Sequence, residues 1–134
     1  MTPAAESRAM AVLVMDDDES MLELCRLMLV KAGFEVTLTR EGTEAVESYR
    51  RALELGRPFA VVLLDVNIPG GKGGKETLAE LRALDPTVRA FVSSGCPDDP
   101  LMVNWREHGF AGAIEKPQFY LLPRIAERLR ALAG

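Results

Sequence analysis

Four acids in a row, Asp16, Asp17, Asp18 and Glu19, follow directly on the apolar run "AVLVM" at 11–15. A lone acid, Asp65, ends a second apolar run, "FAVVLL" at 59–64. Ser93 and Ser94 close a third run, and Lys116, followed by Pro117, closes a fourth. Carboxylates, hydroxyls and an ammonium are the groups that handle phosphoryl oxygens and hard cations. Three carboxylates in one pocket would raise at least one pKa by mutual repulsion. A divalent cation relieves that repulsion, and carboxylate oxygens with water suit Mg²⁺. Such a cation also bridges an incoming phosphoryl group and offsets its charge. A hydroxyl and an ammonium then hold the remaining oxygens. In that arrangement Asp65 is the candidate nucleophile.

These residues meet only if the fold gathers the ends of several strands. Apolar runs at 11–15, 34–39, 59–64, 88–93 and 110–115 predict five strands, two of them nearly continuous and so covered on both faces. Helical patterns lie between and after them, at 19–33, 42–56, 74–85, 98–109 and 119–134. Gly33 and Gly56 are suited to end the first two, and Pro86 follows the third. Strictly alternating strand and helix predicts an α/β fold, a parallel sheet with helices on both faces. Chemistry in such a sheet lies at the carboxyl ends of the strands, where strand order reverses. Asp16, Asp17, Asp65, Ser93, Ser94 and Lys116 all stand there.

The bulk numbers narrow the options. With 134 residues, 48% hydrophobic and 27% charged, the chain suits one globular domain, expected over 11–134 after a disordered leader at 1–10. A net charge of −4 with no basic run argues against nucleic acid as a partner. No stretch approaches the roughly 20 apolar residues of a membrane span, so no membrane contact is expected of this domain. Cys25 and Cys96 are too few for a disulfide framework and read as reduced thiols of a cytoplasmic protein.

The segments "VLVMDDDES", "VVLLDVNIPGGKGG", "FVSSG" and "AIEKP" stand in this order at the strand ends. Together they resemble the response-regulator receiver domain of two-component signalling, across essentially the whole chain. The resemblance implies a flavodoxin-like (βα)5 fold with sheet order 2-1-3-4-5. It also implies transfer of a phosphoryl group from phosphohistidine onto Asp65 with Mg²⁺, without enzymatic turnover of an external substrate. By the same resemblance Asp16, Asp17, Asp65 and the Asn67 backbone carbonyl ligate the metal. Ser93 is the switch hydroxyl, with Ser94 beside it, Lys116 pairs with the phosphate, and Lys116–Pro117 is a cis bond. The partner is a sensor histidine kinase or a histidine-phosphotransfer domain. The glycine-rich and "SSGCPDDP" segments are most like receivers at the C-terminus of hybrid sensor kinases, and the chain reads as such a receiver or a stand-alone regulator.

Local alternatives qualify this. Asp18 and Glu19 suit the first turn of the helix, where negative charge meets its dipole, better than the metal. The glycine-rich stretch 68–76 lacks the Lys-Ser or Lys-Thr of a phosphate-binding loop and reads as a tight turn. In the first helix, Leu22, Cys25, Leu29 and Ala32 form a core stripe, and Met21, Leu24 and Met28 form a second. Of these, Leu24 and Met28 are the candidates for partner docking. Ala113 stands where many receivers carry an aromatic switch residue, so that toggle is absent, with Trp105 and Phe110 the nearest substitutes. Gly95 leaves the phosphoryl group unshielded, so a short-lived phosphoaspartate is expected. Weak homodimers are common in the family, but no charge pattern here demands one. Two rival readings are a pseudo-receiver that works without phosphorylation and a dehalogenase-like aspartyl-phosphate phosphatase. The first would ordinarily lack the acids or the lysine; the second needs a further acidic pair and usually a cap domain.

Overall fold

The computed structural model describes residues 10–116 and, beyond them, Arg124 and Glu127. The leader apart from Met10, Pro117 and the predicted helix at 119–134 fall outside the continuous described stretch. In chain order the elements are β1 (Ala11–Met15), α1 (Glu19–Lys31), β2 (Glu35–Thr39), α2 (Gly42–Glu54) and β3 (Val61–Asp65). They continue with α3 (Gly74–Leu84), β4 (Ala90–Ser94), α4 (Pro100–Val103) and β5 (Gly112–Glu115). The five strands pair in parallel in the order β2-β1-β3-β4-β5, the order expected from the resemblance. Strand order therefore reverses between β1 and β3, and the crevice opens at the carboxyl ends of those two strands.

Alternation along the strands divides the core into two layers. Val12, Val14, Leu63, Phe91 and Ile114 face α1, where Leu22, Cys25 and Leu29 pack on them. Leu13, Met15, Val62, Leu64 and Val92 face the other way, against Ala45, Val46 and Tyr49 of α2, Leu78 and Leu81 of α3, and Met102 of α4. β3 is buried along its whole length, which explains its uninterrupted apolar sequence. Each fully buried leucine contributes roughly 2 kcal/mol, so the one stripe of α1 is sufficient to seat it.

Helix ends follow local chemistry. Asp18 caps α1, its carboxylate accepting from the Ser20 and Met21 N–H groups. At the other end Gly33 adopts φ +95°, the Phe34 N–H donates to the Leu29 carbonyl, and the Gly33 N–H donates to the Val30 carbonyl. This is the Schellman closure that a left-handed glycine permits. The predicted helix at 98–109 is corrected: only Pro100–Val103 is helical, and turns follow as far as Gly109. Asp99 caps it as its position implies, but only Met102 of α4 is fully buried; Leu101 is half-buried against the core and Val103 is exposed. One buried residue is too little anchoring for three turns of helix.

Candidate functional site

The site assembles from strand parity. Asp16 lies two residues beyond Val14, Asp65 two beyond Leu63, Ser93 two beyond Phe91 and Lys116 two beyond Ile114. All four therefore continue the α1 face at the carboxyl edge of the sheet, and register sets Asp65 opposite Ser93, and Ser93 opposite Ile114. Asp16 and Asp65 are almost fully buried, at 3% and 4% exposure.

The Lys116 ammonium lies 2.9 Å from Asp16 Oδ2 and 2.9 Å from Asp65 Oδ2. Asp16 Oδ1 accepts the Asp18 N–H at 2.9 Å, and the Asp16 N–H donates to the Thr39 carbonyl at 3.0 Å. The Asn67 N–H donates to Asp65 Oδ1 at 3.4 Å. Asp17 is exposed at the rim, yet one of its carboxylate oxygens joins one each from Asp16 and Asp65 within 4.8 Å of one another. Asp16 and Asp65 thus share the Lys116 ammonium while Asp17 adds a third carboxylate beside them, leaving surplus negative charge in a partly desolvated cleft.

Burial first, and the surplus charge after it, appear in the titration of the cluster. Burial pushes the Asp65 carboxyl up to about 6; the hydrogen bond from Lys116 pulls against this, and the Asp16 charge adds to it. Burial also works to lower the Lys116 pKa, but hydrogen bonds to Asp65 and Asp16 outweigh it and hold the ammonium above the usual lysine value. The Cys25 thiol, buried beneath α1, is pushed up to about 12 by burial and then by the Asp16 charge. It stays protonated and takes no part as a nucleophile.

The hydroxyls divide. Ser93 Oγ is buried at the strand end and has no hydrogen-bond partner among the described residues. A buried unpartnered hydroxyl beside a carboxylate is rare enough to mark a place where an acceptor can arrive. Alternation sends Ser94 toward the opposite layer, and its Oγ accepts the Cys96 N–H at 3.0 Å, closing the turn after β4. Ser93 therefore sits with the cluster and Ser94 serves the backbone beside it. Ala113 belongs to the layer facing α2, α3 and α4, together with buried Phe110 and half-buried Trp105.

Asp18 and Glu19 stand apart from the acidic cluster. Asp18 is the α1 cap, and Glu19 accepts from Arg40 Nε and Nη2 at 2.8 and 3.1 Å. Sequence reasoning passed over Arg40, the residue after β2. A basic side chain at a strand end, beside a neighbouring strand that ends in acids, is the signal that marks it. The stretch 68–71 is the tight turn expected: the Gly71 N–H donates to the Ile68 carbonyl at 3.0 Å across Pro69 and Gly70, with Gly70 at φ +77°. Leu24 is 41% exposed on α1, beside exposed Leu27 and Val30, whereas Met21 and Met28 are half-buried against the core.

Comparison with known proteins agrees with this architecture. Residues 12–127 match the family model described as the response regulator receiver domain. The transcriptional regulatory protein PrrA of Mycobacterium leprae is 36% identical over 121 residues, covering 90% of this chain and 48% of PrrA. FixJ of Bradyrhizobium diazoefficiens is 32% identical over 106 residues, covering 79% of this chain and 49% of FixJ. The chain spans half or less of the length of the first curated relatives it matches. Among solved structures, Vibrio cholerae CheY4 superposes with a TM-score of 0.78 at 23% identity, covering 90% of this chain and 98% of that one. The receiver domain of the sensor histidine kinase PA1611 from Pseudomonas aeruginosa PAO1 gives 0.77 at 23% identity, covering 90% and 97%. That structure has a magnesium ion coordinated in its active site cleft. A match over residues 12–127, on a sheet of order β2-β1-β3-β4-β5, makes this chain a member of the response regulator receiver domain family of two-component signalling.

Proposed function

We propose that this receiver takes a phosphoryl group from a phosphohistidine onto Asp65, holds it briefly, and signals by a shift in its protein-binding surface. One observation carries the reading: a single ammonium, Lys116 Nζ, stands 2.9 Å from carboxylates on two different strand ends, Asp16 and Asp65. In the transfer, an Asp65 carboxylate oxygen bonds to phosphorus as the bond from phosphorus to the histidine nitrogen breaks. The electron pair stays on the imidazole, which takes up a proton from solvent. Lys116 pairs with the incoming phosphoryl oxygens and so loosens its hold on the aspartates.

The donor set fits a hard divalent cation. Three carboxylates against one ammonium leave negative charge that oxygen-seeking Mg²⁺ satisfies, and Asp16, Asp17, Asp65 and the Asn67 backbone carbonyl would hold it. When bound, Mg²⁺ supplies positive charge that offsets both the crowded carboxylates and the transferring phosphoryl group. The Ser93 hydroxyl donates to a phosphoryl oxygen, gaining the partner it lacks among the described residues, and that movement of the β4 end biases two conformational states. With Ala113 in place of an aromatic, the change passes through the loop after β4 rather than through a side-chain toggle on β5. Gly95 leaves room for water at the phosphoryl group, which keeps the phosphoform short-lived.

The donor is a sensor histidine kinase or a histidine-phosphotransfer domain, met in the cytoplasm through the exposed α1 surface around Leu24. No helix among the described residues is long and apolar enough to cross a membrane. The test is transfer from a phosphorylated histidine-phosphotransfer domain carrying labelled phosphate. Label should move to this chain only with Mg²⁺ and not to Asp65→Asn. Retention of label on the donor under all conditions would instead favour a phosphorylation-independent interaction module.

A further inference from the structure

We infer that Gly42, at the start of α2, is a positioning residue for the Asp65 site, acting through the loop that follows β3. The inference rests on the receiver reading above. Gly42 lies outside the acidic cluster and outside the 66–73 loop, yet it meets that loop at closer range than any side chain allows.

A Cβ placed on Gly42 would stand 2.3 Å from Thr77 Oγ1, 2.5 Å from Lys72 Cβ and 3.1 Å from the Lys72 carbonyl oxygen. Real Cβ atoms do not approach at 2.5 Å, so the glycine is required by the contact and not by its backbone angle. The Gly42 N–H donates to the Lys72 carbonyl at 3.2 Å and pins the loop where it passes. Thr77 is fully buried on α3 and has no free space in which to retreat; Lys72 is half-exposed, but it is met at its Cβ and its carbonyl, so relief there requires the loop backbone itself to move.

The pinned segment is short and held at its other end as well. A Cβ on Gly73 would fall 2.2 Å from the Val66 carbonyl oxygen, and the Gly74 N–H donates to that same oxygen at 3.3 Å. Between these points run Asn67, whose N–H donates to Asp65 Oδ1, and the turn Ile68–Gly71, closed by its own hydrogen bond from the Gly71 N–H to the Ile68 carbonyl. A push at Lys72 has little slack to absorb it before it reaches Asn67. The Gly42–Lys72 contact thus sets how the Asn67 backbone and the Asp65 carboxylate face the cation site.

The experiment is Mg²⁺ titration by calorimetry on the full chain, with urea unfolding run alongside, as a double-mutant cycle. Gly42→Ala should weaken Mg²⁺ binding by about tenfold, the scale at which residues that support metal ligands act. With Lys72→Gly already in place, Gly42→Ala should cost no affinity, because the 2.5 Å contact has gone. Thr77→Ala in the Gly42→Ala background should recover stability but not affinity. Should Gly42→Ala alone fail to fold, the Gly42→Ala/Thr77→Ala variant gives the same reading.

Wild-type affinity in a folded Gly42→Ala protein, recovery of affinity by Thr77→Ala, or a loss that Lys72→Gly leaves unchanged would each overturn the inference. A wild-type chain that binds no Mg²⁺ would overturn the receiver reading itself and this inference with it. In that case the failure shows in the wild type before any variant is compared.

Discussion

Burying Asp65 beside Asp16 has a measurable cost that falls on the metal-free protein. Asp65 titrates near 6 in the folded chain against 3.8 ordinarily, because burial and the Asp16 charge outweigh the Lys116 hydrogen bond. The folded state therefore holds this proton more tightly than the unfolded state does. Stability from this group is fully present below about pH 4 and is lost as pH rises through the folded pKa near 6. At about 1.4 kcal/mol for each tenfold change in proton affinity, the loss comes to about 3 kcal/mol. Asp65→Asn keeps the size of the side chain and the acceptor for Lys116 while removing the charge. In EDTA it should be more stable than the wild type at pH 7.5 by about 1–3 kcal/mol. The difference should shrink as pH falls, to about 1 kcal/mol at pH 4.5, and vanish only below the unfolded value of 3.8, where the carboxyl is neutral in both states. Urea unfolding followed by Trp105 fluorescence from pH 4.5 to 8 reads it, and taking the difference cancels the titration of all other groups. Millimolar Mg²⁺ should then stabilise the wild type and not the variant. A variant less stable than the wild type at pH 7.5, or a difference that does not change with pH, would refute the electrostatic reasoning.

Ser93→Ala deletes a hydroxyl that has no partner among the described residues, so stability should be unchanged or raised by up to ~1 kcal/mol in thermal melts. The same variant should lose the phosphorylation-dependent change in partner affinity. Asp18→Ala removes the α1 cap and should cost about 1 kcal/mol in urea unfolding, with Mg²⁺ affinity retained because Asp18 serves the helix and not the cation. Leu24→Glu and Met28→Glu should slow phosphotransfer from the histidine donor while leaving urea midpoints near wild type for the exposed Leu24. Unchanged transfer rates in both would remove α1 as the docking surface.

The strands were legible because short apolar-rich runs, two of them nearly continuous, lie between helical patterns, and each observed strand starts or ends within two residues of its run. The acids and Lys116 were legible for the same reason: each follows a strand, and a parallel sheet gathers such positions at one edge. The extent of α4 was not, because "DDPLMVNWREHG" carries a cap and a helical pattern but only Met102 of α4 is fully buried in the core. The difference between Ser93 and Ser94 depends on which layer each strand face meets, and the sequence around them does not say which layer is which. Arg40 and Gly42 were passed over because their partners, Glu19 and Lys72, are distant in sequence. Neither contact leaves a local pattern; the fold alone brings them together.

The central claim is that Asp65 is a phosphoacceptor that depends on Mg²⁺. Incubation with acetyl phosphate, followed by intact mass and peptide mapping, tests it with no partner protein needed. The account predicts a gain of one phosphoryl group on the peptide containing Asp65, present with Mg²⁺, absent in EDTA, and absent in Asp65→Asn and Asp17→Asn. A wild-type chain that stays unmodified at saturating acetyl phosphate and Mg²⁺, or one that carries the added mass on another residue, would contradict it.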